Sequence, residues 1–294
     1  MKRSSAGLTP TRVKSASFAL GPWRVRRAGY GAMQLAGDGV FGPPRDRDEA
    51  LRVLRAAVAA GVDHIDTAQY YGPGTVNEFI REALYPYPDS LAIVSKVAAR
   101  RDADGALLRF DEPDELRQGI EDNLATLGAG RLAAVNLRVT DPSETPGRRF
   151  DAQLTALAAA REEGLIDGIG LSNVSRRQLL RAVAQTEIVC VQNLFNLADQ
   201  RSRDVLTECE ARHIAFVPFC PLGWPGEVRR RLLADPVLAS WPRGWARRRC
   251  RSRSPGCWTS PRTSCSFRGP VPAPTSPRTS APPASGSTTR PAPS

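Results

Sequence analysis

From His64 to Glu78 the chain reads HIDTAQYYGPGTVNE, and thirty residues beyond Asp66 it reads VSKV, with Lys96 in third place. Asp66 closes one short apolar run, Lys96 closes the next, and Tyr71 sits in the loop after the first. A tyrosine is a poor acid at neutral pH, with an unperturbed pKa near ~10. An ammonium close to the phenol favours the phenolate and lowers that value. An aspartate beside the lysine holds its charge and position. Together Asp66, Tyr71 and Lys96 read as a tuned general acid for a carbonyl oxygen. Each also has an ordinary reading, as a helix cap, a packed aromatic and a surface charge.

Working outward, short apolar runs alternate with helical patterns. Strands are expected at 27–31, 62–66, 92–95, 133–137, 167–171, 188–191 and 214–218, and helices at 46–60, 113–127, 150–163, 176–183 and 202–212. Asp46 is a cap for the first helix and Gly61 its stop. Leu116, Ile120, Leu124 and Leu127 recur at helical spacing after Pro113. The segments 18–20 and 23–25, split by Gly21-Pro22, predict a hairpin closing the bottom of the structure. Gly29 and Gly31 let a ligand or a neighbouring backbone come close. Strands alternating with helices argue for a parallel sheet, and seven of them imply a barrel. No eighth is recognisable.

Six stretches then fall into one pattern: RRAGYGAMQLAG, GVDHIDTAQYYG, IVSKV, GIGLSNVS, VQNLFNL and FVPFCPLG. In content, order and spacing the chain from about residue 17 to 238 resembles the aldo-keto reductases. That resemblance implies an α/β TIM barrel, (β/α)8, here incomplete because strand 8 and its helices are not recognisable. It also implies NADPH-linked reduction of an aldehyde or ketone, and Tyr71 as the acid with Lys96 and Asp66 in support.

The resemblance assigns further residues. Ser172, Asn173 and Gln192 match the family's ligands for the nicotinamide carboxamide; Asn173 or Ser175 is also a candidate cap for the following helix. Phe219 holds the place of the aromatic that stacks on the nicotinamide. Cys220 and Leu222 belong to the loop over the pyrophosphate, and Gly31, Ala32 and Met33 lie beside the cofactor. Met33 is equally a core residue, and Cys220 has no histidine partner in its motif that would make it a nucleophile. The family's fourth catalytic group is a histidine after strand 4, where this chain reads AAVNLRV. Arg138 takes that place, with Asn136 one step deeper. Arg138 is read as a donor to the carbonyl oxygen, as a group orienting an acidic substrate, or as a salt-bridge partner of Asp141. His64 is read as a packed interior residue and His213 as a surface one.

The net charge of +11 suggests nucleic acid until it is located. Ten arginines and no Asp, Glu or Lys lie in 241–294, which leaves 31 basic residues against 30 acidic ones before that stretch. The charge therefore belongs to the tail, whose few aromatics are too irregular for a base-stacking platform. The tail also holds eleven of the 25 prolines and no Ile, Leu, Met, Asn, Gln or Tyr. A segment so poor in large apolar residues does not offset its ordering entropy. We therefore expect a flexible N-terminus at 1–16, a barrel at 17–238 and a disordered, low-complexity tail at 239–294. Only three lysines accompany 38 arginines, which suggests a GC-rich gene and a reading frame shifted near 239–243; a genuine basic tail is the competing reading. Strand 8 and the family's 2′-phosphate site would fall in the tail.

The first sixteen residues lack the apolar stretch of a secretory signal, and no apolar run spans a bilayer. Six cysteines without regular spacing suggest neither a disulfide framework nor a metal site. These features predict a cytoplasmic protein with a small-molecule carbonyl substrate and no nucleic-acid or membrane partner. A catalytically inactive barrel, either a relic or an NADPH-binding regulatory subunit, is the alternative.

Overall fold

The structure, a computed structural model, describes residues 17–236, Leu238 and 264–265. Seven strands run parallel in one sheet: β3 (Ala28–Gly31), β4 (His64–Asp66), β5 (Ala92–Arg101), β7 (Ala134–Arg138), β8 (Ile169–Ser172), β9 (Cys190–Gln192) and β10 (Ala215–Phe216). They pair in chain order, except that β5 also carries β6 (Leu107–Phe110) as an antiparallel hairpin arm. Helices α1 (Arg47–Ala59), α2 (Thr75–Leu84), α3 (Pro113–Leu127), α4 (Arg148–Glu162), α5 (Arg176–Val183) and α6 (Arg203–Ala211) connect successive strands, and α7 (Glu227–Ala234) follows β10. This is the (β/α) barrel plan that the alternating pattern predicts.

Local chemistry sets the helix ends. The Asp46 side chain accepts from the Glu49 amide at the start of α1. Pro113 opens α3 beside a Glu112–Glu115 capping box, and Gly128 ends it in the left-handed region at φ 64°, where a Cβ would be strained. Ser175 and Gln178 form the capping box of α5, so Ser175 is the cap there and Asn173 is left for other work.

Two apolar layers hold the sheet. One packs the outer faces of the strands against the helices, with Ile65, Ile93, Val135 and Leu171 meeting Leu54, Ile80, Ile120, Leu154 and Leu179. The other fills the lower interior, where Leu20 and Val25 from the hairpin β1 (Ser17–Leu20) and β2 (Trp23–Arg26) cover Ala92, Val94, Ala134, Cys190 and Ala215. Trp23 Nε1 donates to Asp167 at 2.9 Å and fastens that plug. The hairpin thus closes the end opposite the strands' carboxyl termini, which leaves the carboxyl end as the place for chemistry.

Three elements exceed the sequence reading. Strand β5 continues to Arg101 and turns back into β6, and α2 and α7 lie where no helix was expected. On the outer side of β3, Ser264–Cys265 forms a two-residue antiparallel pair (β11) with Ala28–Gly29. Apart from that pair, the expectations for 1–16 and 239–294 lie outside the described residues. Among the described residues, β10 pairs on one side only, and no helix is long and apolar enough to cross a membrane.

Candidate active site

Side chains at the carboxyl ends of these strands line one cavity of ≈ 1620 Å³. Ordinary small-molecule pockets run to about 1,000 Å³, so this volume suits a large ligand together with a smaller one. Parallel register sets the wall. Gly31 pairs with Asp66 across β3 and β4, Lys96 with Asn136 across β5 and β7, and Arg138, Ser172 and Gln192 form one row across β7, β8 and β9.

On the β4–β5 side, Lys96 Nζ donates to both oxygens of Asp66, at 2.7 and 2.8 Å, and to the Thr67 carbonyl at 2.8 Å. Lys96 is only 4% exposed and Asp66 6%, so the surface-charge and helix-cap readings fail. A buried pair of this kind needs its remaining donors satisfied, and all three ammonium protons have an acceptor. Nζ also lies 5.1 Å from the centroid of the Tyr71 ring. Tyr70 meets that ring edge-on at 5.4 Å between centroids.

Behind this assembly lies a buried polar network that the sequence reading missed. Thr67 Oγ1 donates to Asn77 Oδ1 at 2.8 Å, and Asn77 Nδ2 donates to Asn123 Oδ1 at 3.0 Å. Ser95 Oγ donates to the same Asn123 oxygen at 2.5 Å, and Asn123 Nδ2 donates to the Gly119 carbonyl at 2.7 Å. Thr67, Asn77, Ser95 and Asn123 are fully buried. The network therefore ties α2 and α3 to the residue that accepts from Lys96 and to the residue preceding it. A signal was present: Asn123 occupies the inward position between Ile120 and Leu127 that the apolar pattern gives to Leu124, which is only half-buried.

The phenol of Tyr71 departs from expectation. Its pKa is raised, first by burial and then by the Asp66 carboxylate, while Arg138 and Arg101 pull it down. Lys96 does not deliver the expected lowering because its charge is neutralised at contact by Asp66. Tyr71 thus keeps its proton throughout the physiological range.

The β7–β9 side is different. Ser172 Oγ, Gln192 Oε1 and Arg138 Nε are buried atoms without a hydrogen-bond partner among the described residues. Buried polar atoms are nearly always paired, so three in one row mark a place made for a ligand. Asn173, left-handed at φ 60°, gives its Nδ2 to the Val139 carbonyl at 2.8 Å. Gly31 faces open space where a Cβ would stand, which leaves room for a ligand against β3. A hydroxyl, an amide oxygen and a bare glycine suit the carboxamide and ring of a nicotinamide, so the residues present fit that group.

Gly31, Met33, Asn173, Phe219, Cys220 and Leu222 line the cavity. Ala32 does not: its side chain is fully buried in the outer core layer, because the chain turns into a 3-10 helix at that residue. Asn136 is also withdrawn. It accepts from Cys190 Sγ at 3.2 Å inside the barrel, and a Cβ on Gly170 would fall 2.0 Å from its oxygen. Arg138 alone of the two reaches the cavity. The Asp141 carboxylate is held by the Ser143 amide and hydroxyl, and no ion pair joins it to Arg138. His64 is buried against Gly29, and burial lowers its pKa, as suits a packed interior histidine. Cys220 is nearly buried and its thiol is pushed up to about 11, which argues against a nucleophile. Tyr70, Arg101 and Trp224 are cavity residues that carried no sequence signal. Among the described residues no cluster of His, Cys, Asp or Glu is arranged to hold a metal.

Comparison with known proteins bears on the same stretch. The model of the Aldo/keto reductase family matches residues 27–232. Pyridoxine 4-dehydrogenase of Escherichia coli is 49% identical over 231 residues, covering 78% of this chain and 80% of that one. A solved thermostable aldo-keto reductase, in complex with the inhibitor epalrestat, superposes with a TM-score of 0.62 at 27% identity, covering 76% and 77% of the two chains. A Klebsiella pneumoniae aldo/keto reductase solved with NADP and acetate gives 0.60 at 23% identity, covering 80% and 77%. Two further solved relatives are spanned over only 65% and 63% of their own length.

Proposed function

The chain belongs to the aldo/keto reductase family, and from that premise we propose how its own residues reduce an aldehyde or ketone to an alcohol with NADPH. The cofactor, when bound, supplies the hydride. Tyr71 supplies the proton: its hydroxyl stays protonated, and an alkoxide forming beside it is a stronger base than the phenolate left behind. Lys96, anchored by three hydrogen bonds, packs its ammonium 5.1 Å from the centre of the Tyr71 ring and so positions the phenol. Asp66 fixes the ammonium and compensates its burial.

Ser172, Asn173 and Gln192 hold the nicotinamide carboxamide and so choose the ring face presented to the substrate. Phe219 would hold the nicotinamide by stacking, with Gly31 and Met33 beside it, and Cys220 and Leu222 would serve the pyrophosphate; all five line the cavity. Arg138, which has no hydrogen-bond or ion-pair partner among the described residues, is left to face the substrate. The observation that carries this reading is the pair of unsatisfied buried atoms, Ser172 Oγ and Gln192 Oε1, in register on adjacent strands beside the acid assembly.

The 49% identical relative is a pyridoxine 4-dehydrogenase, so pyridoxal reduction and pyridoxine oxidation are the first reactions to assay. The purified protein is expected to consume NADPH with pyridoxal in one-to-one stoichiometry with alcohol formed. NADPH binding without turnover on pyridoxal or simple aldehydes would instead support a non-catalytic barrel.

A further inference from the structure

Every other cation lining the cavity has a partner. Lys96 is held by Asp66, Arg45 by Asp38, Arg201 by Asp199, and Arg101 by the carbonyls of Tyr70 and Gly105. Arg229 donates to the Gly223 carbonyl. Arg138 makes no hydrogen bond or ion pair among the described residues, its Nε is buried, and the nearest acid in sequence, Asp141, is committed to Ser143. A guanidinium partly removed from water and denied a carboxylate is costly to keep, and its planar fork matches a pair of oxygens held in one plane. Arg138 and Tyr71 line the same cavity, and the Arg138 charge draws the Tyr71 phenol downward, so a partner of Arg138 would enter the space that Tyr71 also lines. The aromatic residues Tyr70, Phe219 and Trp224 line the same cavity.

We infer that Arg138 determines substrate class by pairing with an ionised oxygen that the substrate carries next to its reacting carbonyl, so that the pocket prefers aromatic aldehydes with an ortho-hydroxyl group. In such a molecule the phenolate and carbonyl oxygens lie side by side in the ring plane. Tyr71 then serves the carbonyl oxygen and the Arg138 fork the phenolate. A buried charge-assisted pair of this kind discriminates strongly against a substrate lacking the anion. The inference rests on the carbonyl-reducing reading of the cavity.

The test compares kcat/KM for 2-hydroxybenzaldehyde, 2-methoxybenzaldehyde and benzaldehyde in the full chain and in Arg138→Lys and Arg138→Met. NADPH affinity is measured on each variant as a check that the site is intact. The wild type is expected to favour the 2-hydroxy compound over the 2-methoxy compound by about tenfold or more, the value of one hydrogen bond to a charged group. Arg138→Met should erase that preference mainly through KM, and Arg138→Lys should restore part of it. Equal losses on all three aldehydes in Arg138→Met would overturn the inference, since Arg138 would then act on the carbonyl oxygen itself. The absence of any wild-type preference would overturn it too. If no aldehyde drew NADPH oxidation from the wild type, the carbonyl-reducing reading would fall, and this inference with it.

Discussion

Two kinds of buried polar group line one cavity. On the β4–β5 side every group is satisfied from within: Lys96 has three acceptors, and Thr67, Asn77, Ser95 and Asn123 bond to one another behind it. On the β7–β9 side Arg138, Ser172 and Gln192 keep buried atoms with no partner among the described residues. The first half is complete without a ligand, and its geometry is fixed before anything binds. The second half is completed only by what enters. Substitutions on the two sides should therefore register in different measurements, one in folding stability and the other in ligand affinity.

The largest effect on stability is expected at Lys96. Lys96→Met leaves Asp66 buried and uncompensated, a defect that typically costs about 3–5 kcal/mol, and it also removes the cation beside Tyr71. Urea unfolding should show the loss; a midpoint close to wild type would mean that the pair is not the closed unit described above.

Asn123→Ala comes next. It strands the Ser95 hydroxyl and takes one of two acceptors from the Asn77 amide, which keeps Thr126 Oγ1; leaving such a buried group unpaired costs roughly 1–3 kcal/mol. Turnover should fall as well, because the Thr67 carbonyl that accepts from Lys96 loses its backing. Unchanged turnover in a destabilised Asn123→Ala protein would confine the network to a structural role.

His64 gives a pH dependence. Burial lowers its folded pKa below the unfolded value near ~6.5, so between the two values the unfolded chain binds the extra proton. Stability is then fully present above pH ~6.5 and falls as the pH drops below it, with a slope of about 1.4 kcal/mol per pH unit for one proton. Denaturant titrations across that window should show the slope in the wild type and a flatter line in His64→Asn.

The smallest effect on stability is expected on the open side. Ser172→Ala and Gln192→Met remove polar atoms that have no partner among the described residues, so stability should stay within about 0.5 kcal/mol of wild type or rise. NADPH affinity should weaken by up to about tenfold for each hydrogen bond lost. A large loss of stability in either variant would erase the contrast between the two sides.

Much of this plan was legible in the sequence, for physical reasons that differ by element. The strands and the helices α1 and α3 to α6 announced themselves through apolar periodicity and caps such as Asp46 and Ser175. Asp66, Tyr71 and Lys96 were legible because a charged or phenolic residue at the end of an apolar run is conspicuous. What the sequence hid was pairing. That Lys96 would be neutralised by Asp66, so that burial governs Tyr71, depends on a contact between strands thirty residues apart. The Asn77–Asn123 network joins two helices and leaves only one faint mark, an asparagine within an apolar stripe. Ala32 and Met33 are neighbours, and only the onset of the 3-10 turn sends one into the core and the other to the cavity. Asn136 and Arg138 share a strand face, and only depth separates them.

The central claim is that Tyr71, standing between the closed and open halves, gives the proton to the carbonyl oxygen. Tyr71→Phe tests it most directly, because the ring and its packing are kept while the hydroxyl is lost. NADPH-dependent aldehyde reduction and NADPH binding, followed by cofactor fluorescence, should be measured on the same preparation. The account predicts a fall in kcat of about 10²–10⁴, the usual worth of a general acid, with NADPH affinity within about twofold of wild type, since a lone hydroxyl outside the carboxamide site contributes little to that binding. Turnover near the wild-type rate in Tyr71→Phe would contradict it.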